Sequence, residues 1–185
     1  MIRKNLLEIK QFFSNSFEYL LKDNYTDKIL EVKRVTKVVK GGKKFKFRAL
    51  VVTGDSKEKI GLGIGRAEDI NIAIEKAILN ARKNILFLSL TPNKSIPFLI
   101  NYSNGSCNIM LKPGPLGIGI RAGSSIKTIL ELSGIKNIIA KRFGSNSLLN
   151  NAKTTMMALD LLNKKVELGK KQCYRKNVFY NKYFN

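Results

Sequence analysis

The residues best suited to chemistry in this 185-residue chain are cations grouped around a pair of glycines. Six bases flank or follow Gly41 and Gly42 within one short segment: Lys37, Lys40, Lys43, Lys44, Lys46 and Arg48. Lysine and arginine neutralise phosphates, and glycine lets the backbone approach a sugar-phosphate chain closely. A solvated hairpin with charged edges shows the same pattern. Because the whole chain has a net charge of +21, we predict contact with nucleic acid.

Two further segments place a base next to a predicted helix start. Arg66 follows Gly61, Gly63 and Gly65, whose alternation removes side chains from one face of a strand. These glycines fit close approach of an RNA backbone and close packing of a helix equally well. Lys141 and Arg142 precede a predicted helix and could bind phosphate there, or could lie in a solvated loop.

A glycine-rich loop contains Gly117, Gly119 and Ala122 in the spacing G-x-G-x-x-A. In a dinucleotide-binding unit this spacing cradles a pyrophosphate, and an acid follows about 20 residues later. Position 137 is asparagine instead, so dinucleotide binding is a weak hypothesis. The loop is better suited to packing against a neighbouring chain or an RNA backbone.

The composition argues against several classes of function. The chain has no histidine, which removes Cys/His zinc sites and histidine-dependent nucleophilic catalysis. Its two cysteines, Cys107 and Cys173, are expected to be ordinary residues of a strand and a tail. The apolar run 85–90 is too short to span a bilayer, and the N-terminus does not resemble a secretory or transit peptide. We expect no cofactor, no metal, no membrane contact and no small-molecule substrate.

The elements that must position these residues form two small domains in an α+β arrangement. The first reads as βββα, with strands at 32–39, 45–53 and 59–65, a turn at Gly41–Gly42, and a helix stripe from Ile70 to Ala81. The second reads as ββαβα. Its predicted elements are strands at 97–102 and 106–112 around an Asn104-Gly105 turn, a helix capped by Ser124, a strand at 135–140, and a helix capped by Asn146 or Ser147.

The predicted division of the chain has four segments. They are an amphipathic N-terminal helical extension at 1–30 with its helix at 6–21, a first domain at 31–91, a second at 92–163, and a basic aromatic tail without clear period at 164–185. We expect the tail to bind RNA.

Four motifs occur together in an order that resembles small-subunit ribosomal protein five of the bacterial type. They are Val35–Lys43, Gly61–Ala67, Gly117–Gly123 and Ala140–Ser145. The resemblance implies a first domain related to double-stranded RNA-binding domains and a second with the two-layer fold of this family. It also implies a non-catalytic protein of the small ribosomal subunit, on its solvent side near the mRNA entry channel.

The resemblance also assigns roles by position. The hairpin is expected to insert into ribosomal RNA through Thr36, Lys37, Lys40, Gly41, Gly42, Lys43 and Lys44. The glycine-rich loop and its helix are expected to face the fourth small-subunit protein, a contact linked to decoding accuracy, through Gly117, Gly119, Arg121 and Lys127. The eighth small-subunit protein is the other expected neighbour. The chain departs from the family pattern at Ser124-Ser125 and in both terminal extensions.

Two other classes of function fit parts of the sequence. Sugar and mevalonate kinases share the second domain's fold and a glycine-rich loop, although no acid stands near as a catalytic base. A free RNA chaperone would fit the charge. Lys, Ile and Asn number 26, 20 and 18, a bias of AT-rich genomes. It favours a plastid-type organelle, with the cytoplasm of an AT-rich bacterium as the alternative.

Overall fold

The structure, a computed structural model, describes the backbone of residues 25–183 and the side chains of residues 25–168. Two four-stranded sheets are each accompanied by helices. The elements of the first part are β1 (Thr26–Val39), β2 (Gly42–Gly54), β3 (Lys59–Ala67), α1 (Ile70–Lys83) and β4 (Ile85–Phe87). Those of the second part are β5 (Ile100–Asn104), β6 (Cys107–Pro113), β7 (Ile120–Arg121), α2 (Ser124–Leu132), β8 (Ile138–Gly144) and α3 (Leu148–Tyr183).

The first sheet is an antiparallel meander in the order β1-β2-β3-β4. One of its faces packs on α1 through an apolar cluster that contains Ala49 and Val51 of β2 and the buried alanines Ala73 and Ala77 of α1. Short side chains on both sides let the helix axis approach the sheet closely. A methyl group at Gly61, Gly63 or Gly65 would collide with the α1 backbone at Ala81, Ala77 or Ala73 respectively.

The second sheet has the order β5-β6-β8-β7. Its strands pair antiparallel except β7, which runs parallel to β8 and connects to it through α2. The inner face contributes Ile109, Leu111 and Ala140 to a core that also contains Ile129 of α2 and Leu159 of α3.

This larger core joins the two parts of the chain. It includes Leu50, Val52 and Ile60 of the first sheet together with the buried residues of α2 and α3. The β2–β3 turn is anchored at the same place, because the backbone N–H of Ser56 donates to the carbonyl of Leu132 at 2.9 Å. The second domain therefore covers the face of the first sheet that α1 leaves open, over the part that is apolar.

The α+β two-domain prediction is confirmed, but several boundaries were wrong. β1 begins at Thr26 rather than 32, so the predicted division between residues 30 and 31 falls inside a strand. β4 and β7 were missed because three-residue and two-residue strands are too short to show a period. The third predicted strand of the second domain, 135–140, is observed as Ile138–Gly144.

Both predicted hairpin turns and the predicted cap of α2 shift by one residue. Gly42 is the first residue of β2, and Lys40 and Gly41 form the turn. Asn104 ends β5, so the second hairpin turns at Gly105 and Ser106. Gly123 rather than Ser124 is the N-cap of α2. α3 begins at Leu148, directly after Ser147, one of the two residues predicted as its cap.

The last helix is longer than the periodic stripe that predicted it. α3 spans 36 residues, so the predicted boundary at residue 163 lies within a helix, and the tail segment continues it to Tyr183. The predicted N-terminal helix at 6–21 lies outside the described residues. The boundary at residue 91 stays a prediction.

Within the described residues, no helix has the length and apolar character needed to cross a membrane, and no group of metal-ligating side chains comes together. Cys107 is buried in β6, where its thiol lies 2.7 Å from Oδ1 of Asn151. The side chain of Cys173 lies outside the described part of α3.

Candidate nucleic-acid interface

The hairpin of β1 and β2 extends beyond the rest of the first sheet. β3 ends at Ala67, which pairs with Phe47, whereas the β1–β2 pairing continues from there to Val39 and Gly42. Gly41 has φ +95° at the turn, a conformation that favours glycine. A Cβ atom at Gly41 or Gly42 would meet nothing within 4 Å, so the tip of this two-stranded ribbon is open.

One face of the ribbon gathers most of the predicted RNA-binding cations. Alternate residues of a strand share a face, and directly opposed residues of paired strands share it too. The register therefore brings together six residues, which we call the basic face: Lys33, Lys37, Lys44, Lys46, Arg48 and Arg66.

The cations of the basic face stand directly opposite one another. Lys37 of β1 pairs with Lys44 of β2, and Arg48 of β2 lies between Lys33 of β1 and Arg66 of β3. Like charges in directly opposed positions destabilise a sheet. Such an arrangement fits a polyanion that fills the space between them.

The basic face borders a cleft of about 380 Å³, which Val35, Val39 and Phe47 line along with five of its cations. Within the described residues, acids pair with only two of its cations. Glu31 lies 2.7 Å from Lys33, and Glu68 lies 4.0 Å from Lys46. The other four cations make no ion pair with a described residue, which leaves them available for phosphates.

The basic face ends where the apolar core begins. Leu50 and Val52 continue the same face of β2, and both are buried against the second domain. β2 thus changes from cations to aliphatic residues along a single face, and the second domain covers only the aliphatic half.

The remaining hairpin residues of the prediction lie elsewhere on the ribbon. Lys40 and Gly41 form its tip, and Gly42 begins β2. Thr36 and Lys43 fall on the opposite face. There the guanidinium of Arg34 lies 3.8 Å from the ring centroid of Phe45, which is a cation–π contact.

The structure separates Lys141 and Arg142 from the basic face. They lie within β8 of the second sheet, not at its end, opposite Met110 and Ile109. Arg142 donates from Nη1 to the carbonyl of Ser145 at 3.1 Å and to Oδ1 of Asn146. This guanidinium holds the connection into α3.

The glycines before Arg66 now have a structural explanation. Gly61, Gly63 and Gly65 share the face of β3 that touches α1, so the helix-packing alternative is correct for them. Arg66 itself is exposed on the other face, one residue before the end of β3.

The predicted protein-interface residues occupy one end of the second domain. Gly117 and Gly119 lie in the loop before β7 with φ values of +85° and +72°, and the space around both is open. Arg121 is in β7, and Lys127 is on α2, where its Nζ lies 3.8 Å from Glu131. Because β7 lies between these glycines and α2, the glycines do not lead directly into the helix, and the loop differs from a dinucleotide cradle.

Two residues that belong to or support these candidate sites were not predicted from the sequence. Lys33 belongs to the basic face, and the alternation of Lys33 with Lys37 along β1 could have indicated it. Asn137 positions the glycine-rich loop: its buried amide accepts from the N–H of Gly117 at 3.1 Å and donates to the carbonyl of Asn93 at 3.0 Å.

Comparison with known proteins matches both parts of the chain to two domains of a single protein family. The family described as "Ribosomal protein S5, N-terminal domain" matches residues 25–88, and "Ribosomal protein S5, C-terminal domain" matches residues 102–172. The small ribosomal subunit protein uS5c of Thalassiosira pseudonana is 44% identical over 154 residues, which are 83% of this chain and 86% of that protein.

Two other relatives give the same result. The uS5c protein of Emiliania huxleyi is 46% identical over 75% of this chain and 87% of its own length. The uS5 protein of Prochlorococcus marinus (strain AS9601) is 46% identical over 75% of this chain and 68% of its own length.

Proposed function

Since the chain belongs to the ribosomal protein S5 family, we propose that it is a structural protein of the small ribosomal subunit and binds small-subunit ribosomal RNA. The observation that supports this most strongly is the basic face, where cations oppose cations across neighbouring strands. Ribosomal RNA supplies the phosphates that relieve this repulsion, and assembly then adds stability that the isolated chain lacks.

The mechanism is electrostatic and geometric, without a catalytic step. Lys37, Lys44 and Arg48 contact phosphates from one side of the ribbon, and the open tip at Gly41 admits close approach of the RNA backbone. Because α1 and the second domain both pack on the base of the ribbon, its cations have fixed relative positions.

The decisive test combines Lys37→Gln, Lys44→Gln and Arg48→Gln in the full-length chain. Its control, Lys76→Gln with Lys83→Gln and Lys153→Gln, removes the same charge from exposed positions on helices. Binding to a transcript of small-subunit ribosomal RNA is titrated against salt. In the ribbon variant, the slope of the logarithm of the binding constant against the logarithm of salt concentration should become less steep by about 2 to 3, since each phosphate contact contributes roughly 0.7–0.9. The control should keep the slope of the wild type.

A second measurement concerns the particle. Sucrose-gradient sedimentation of native extracts should place the chain with the small subunit. A chain found only in free fractions, or a ribbon variant that binds and assembles like its control, would reject the proposal.

We also propose specific neighbours for the second domain. The exposed loop at Gly117 and Gly119, with Arg121 and Lys127 beside it, would dock on the fourth small-subunit protein, near the mRNA entry channel, and support decoding accuracy. The eighth small-subunit protein is the other proposed neighbour. A photo-crosslinking residue at position 127 should capture the fourth protein in intact particles. Capture of another protein alone would reject this assignment.

For the compartment, we propose the ribosome of a plastid-type organelle. The names of the Thalassiosira pseudonana and Emiliania huxleyi relatives mark the plastid form, whereas the Prochlorococcus marinus relative is cyanobacterial. The test is whether the chain sediments with ribosomes of purified plastids.

A further inference from the structure

The second sheet has one face that no described element covers. α2 and α3 pack on the inner face, which carries Ile109, Leu111 and Ala140. The register assigns the alternate residues to the other side, which we call the outer face. Its members are Asn101, Ser103, Asn108, Met110, Lys112, Ile139, Lys141 and Phe143, with Arg121 at the β7 edge.

The outer face is positively charged and contains no acid. Lys112 and Lys141 are exposed, and neither makes an ion pair with a described residue. Glu131 is the only acid between Lys76 and Lys153 in the sequence. It lies on α2, where it pairs with Lys28 at 3.2 Å and Lys127 at 3.8 Å, so it does not neutralise this face. The charge favours an anionic occupant.

An aromatic ring and several amides stand beside these cations. Phe143 is 53% exposed, although it lies directly opposite Asn108 in a regular strand pair. A cleft of about 340 Å³ next to it is lined by Asn101, Ser103, Asn108 and Met110. Exposed rings stack on unpaired bases, and amides bind base edges.

The dimensions of this face suit a short RNA segment. Four strands at about 4.8 Å spacing give a platform roughly 15 Å wide, enough for two or three stacked nucleotides as on other sheet platforms. A protein partner fits less well, because lysines are depleted from the buried centre of protein interfaces.

We propose that the outer face binds a single-stranded segment of RNA. Phe143 stacks on one base, Asn101 and Asn108 bind the edges of adjacent bases, and Lys112 and Lys141 contact the flanking phosphates. This surface is separate from the basic face. The outer-face proposal rests on the proposed function in one respect: the RNA bound there would be an unpaired segment of small-subunit ribosomal RNA.

The test uses the full chain and an oligouridine of about twelve nucleotides that carries 4-thiouridine, a length within the usual site sizes for single strands. Phe143→Leu keeps an apolar side chain and removes stacking, so affinity should fall about tenfold with an unchanged salt slope. Lys112→Gln with Lys141→Gln removes two phosphate contacts. The slope of the logarithm of the binding constant against the logarithm of salt concentration should therefore become less steep by about 1.4. Lys76→Gln with Lys83→Gln is the charge-matched control and should leave affinity for this oligonucleotide within about twofold of wild type, as expected for cations without a phosphate contact.

Cross-links should map to the peptide 138–144. Cross-links confined to the ribbon, or outer-face variants that bind like the control, would overturn this proposal and leave the basic face unaffected. Conversely, loss of binding in the outer-face variants alone would support it even if the ribbon variant behaved normally. In intact particles, a photo-crosslinker at position 143 should attach to RNA, and attachment to a protein would overturn the RNA assignment.

Discussion

At the residue scale, the most restrictive feature is the absence of side chains along one face of β3. Gly61, Gly63 and Gly65 lie against backbone atoms of α1, which cannot move without breaking the helix. The alanines of the helix complete this contact from the other side. In the sequence these glycines resemble part of a binding motif, but in the structure they allow the helix to pack closely on the sheet.

We expect Gly63→Ala to lower the free energy of unfolding by about 3 kcal/mol, the upper part of the range for overpacking. The added methyl group would overlap the carbonyl of Ala77 and the backbone of Ala81. Urea denaturation of the full chain measures the change. Gly42→Ala is the control, because its methyl group meets open space. Equal stability of the two variants would contradict the close contact.

A second residue-scale feature is Asp55 in the β2–β3 turn. Partial burial acts to raise the pKa of its carboxyl group, but three backbone N–H groups outweigh this and hold the pKa below the ordinary value of 3.8. The donors are Lys57, Glu58 and Lys59, at 2.8, 3.0 and 2.9 Å from Oδ1.

The ionised form of Asp55 therefore stabilises the turn. Relative to Asp55→Asn, the wild type should have a free energy of unfolding higher by up to about 1 kcal/mol, a small gain because the group is only partly buried and solvent screens its charge. Because the pKa of Asp55 is lower in the folded protein than in the unfolded chain, the full stability difference is present at pH values above 3.8. It is lost as the pH falls through the pKa of the folded protein. Urea midpoints of both proteins across pH 2–7 check this. An advantage that grows on acidification would be the wrong sign.

At the scale of elements, a side chain helps to hold the glycine-rich loop in place. The glycine-rich loop has no strand pairing of its own before β7, and two of its residues have positive φ. Asn137 connects it to the segment around Asn93, and Ser95 Oγ donates to the carbonyl of Asn137 at 2.6 Å. Asn137 thus fastens the loop at Gly117 to the segment around Asn93, and the N–H of Ile138 holds it again at the carbonyl of Gly119.

Asn137→Ala should lower the free energy of unfolding by about 1–3 kcal/mol, because buried partners lose their hydrogen bonds. It should also speed amide exchange at Gly117. Hydrogen exchange followed by mass spectrometry measures the loop directly, and Asn150→Ala, at an exposed position of α3, is the control. Unchanged exchange in the loop would show that Asn137 does not position it.

The sequence predicts this level of structure unevenly. Long periodic elements such as α1 are correctly placed, since its apolar stripe and flanking charges are local signals. β4, β7 and the full length of β1 depend on pairing partners distant in the chain, and no local period reports them.

The candidate nucleic-acid interface was also predicted only in part. The types of its residues were visible in the sequence, and so was the turn at Gly41. Their distribution over two faces depends on strand register: Lys44 joins the basic face and Lys43 does not, although they are adjacent. Likewise, nothing local to Gly63 separates a role in packing from one in binding.

At the scale of the whole molecule, the two domains share one core. Leu50 and Ile60 of the first sheet lie in the same buried cluster as Ile129 and Leu159 of the second domain. Asn163 of α3 adds a polar connection, since its side chain accepts from the N–H of Ser89 at 3.0 Å and donates to the carbonyl of Phe87. The two domains have different folds, but they pack together through one hydrophobic core.

We therefore expect a single cooperative unfolding transition, with hydrogen exchange in β2 and β8 reporting the same free energy. Asn163→Ala should lower that energy by about 2 kcal/mol for both strands, because it leaves buried groups unpaired. Lys153→Ala, exposed on the same helix, should change neither. Two separated transitions, or a loss confined to β8, would show that the domains unfold independently.

The shared core also affects how the chain is made. β2 leaves the polypeptide exit tunnel with α1 soon behind it, but the face with Leu50 and Val52 waits for α2 and α3. At roughly 5–20 residues per second, that interval lasts about 5 to 20 s. During it, the nascent chain displays aliphatic residues next to the cations of the basic face. We expect such a surface to need protection from unwanted contacts during synthesis.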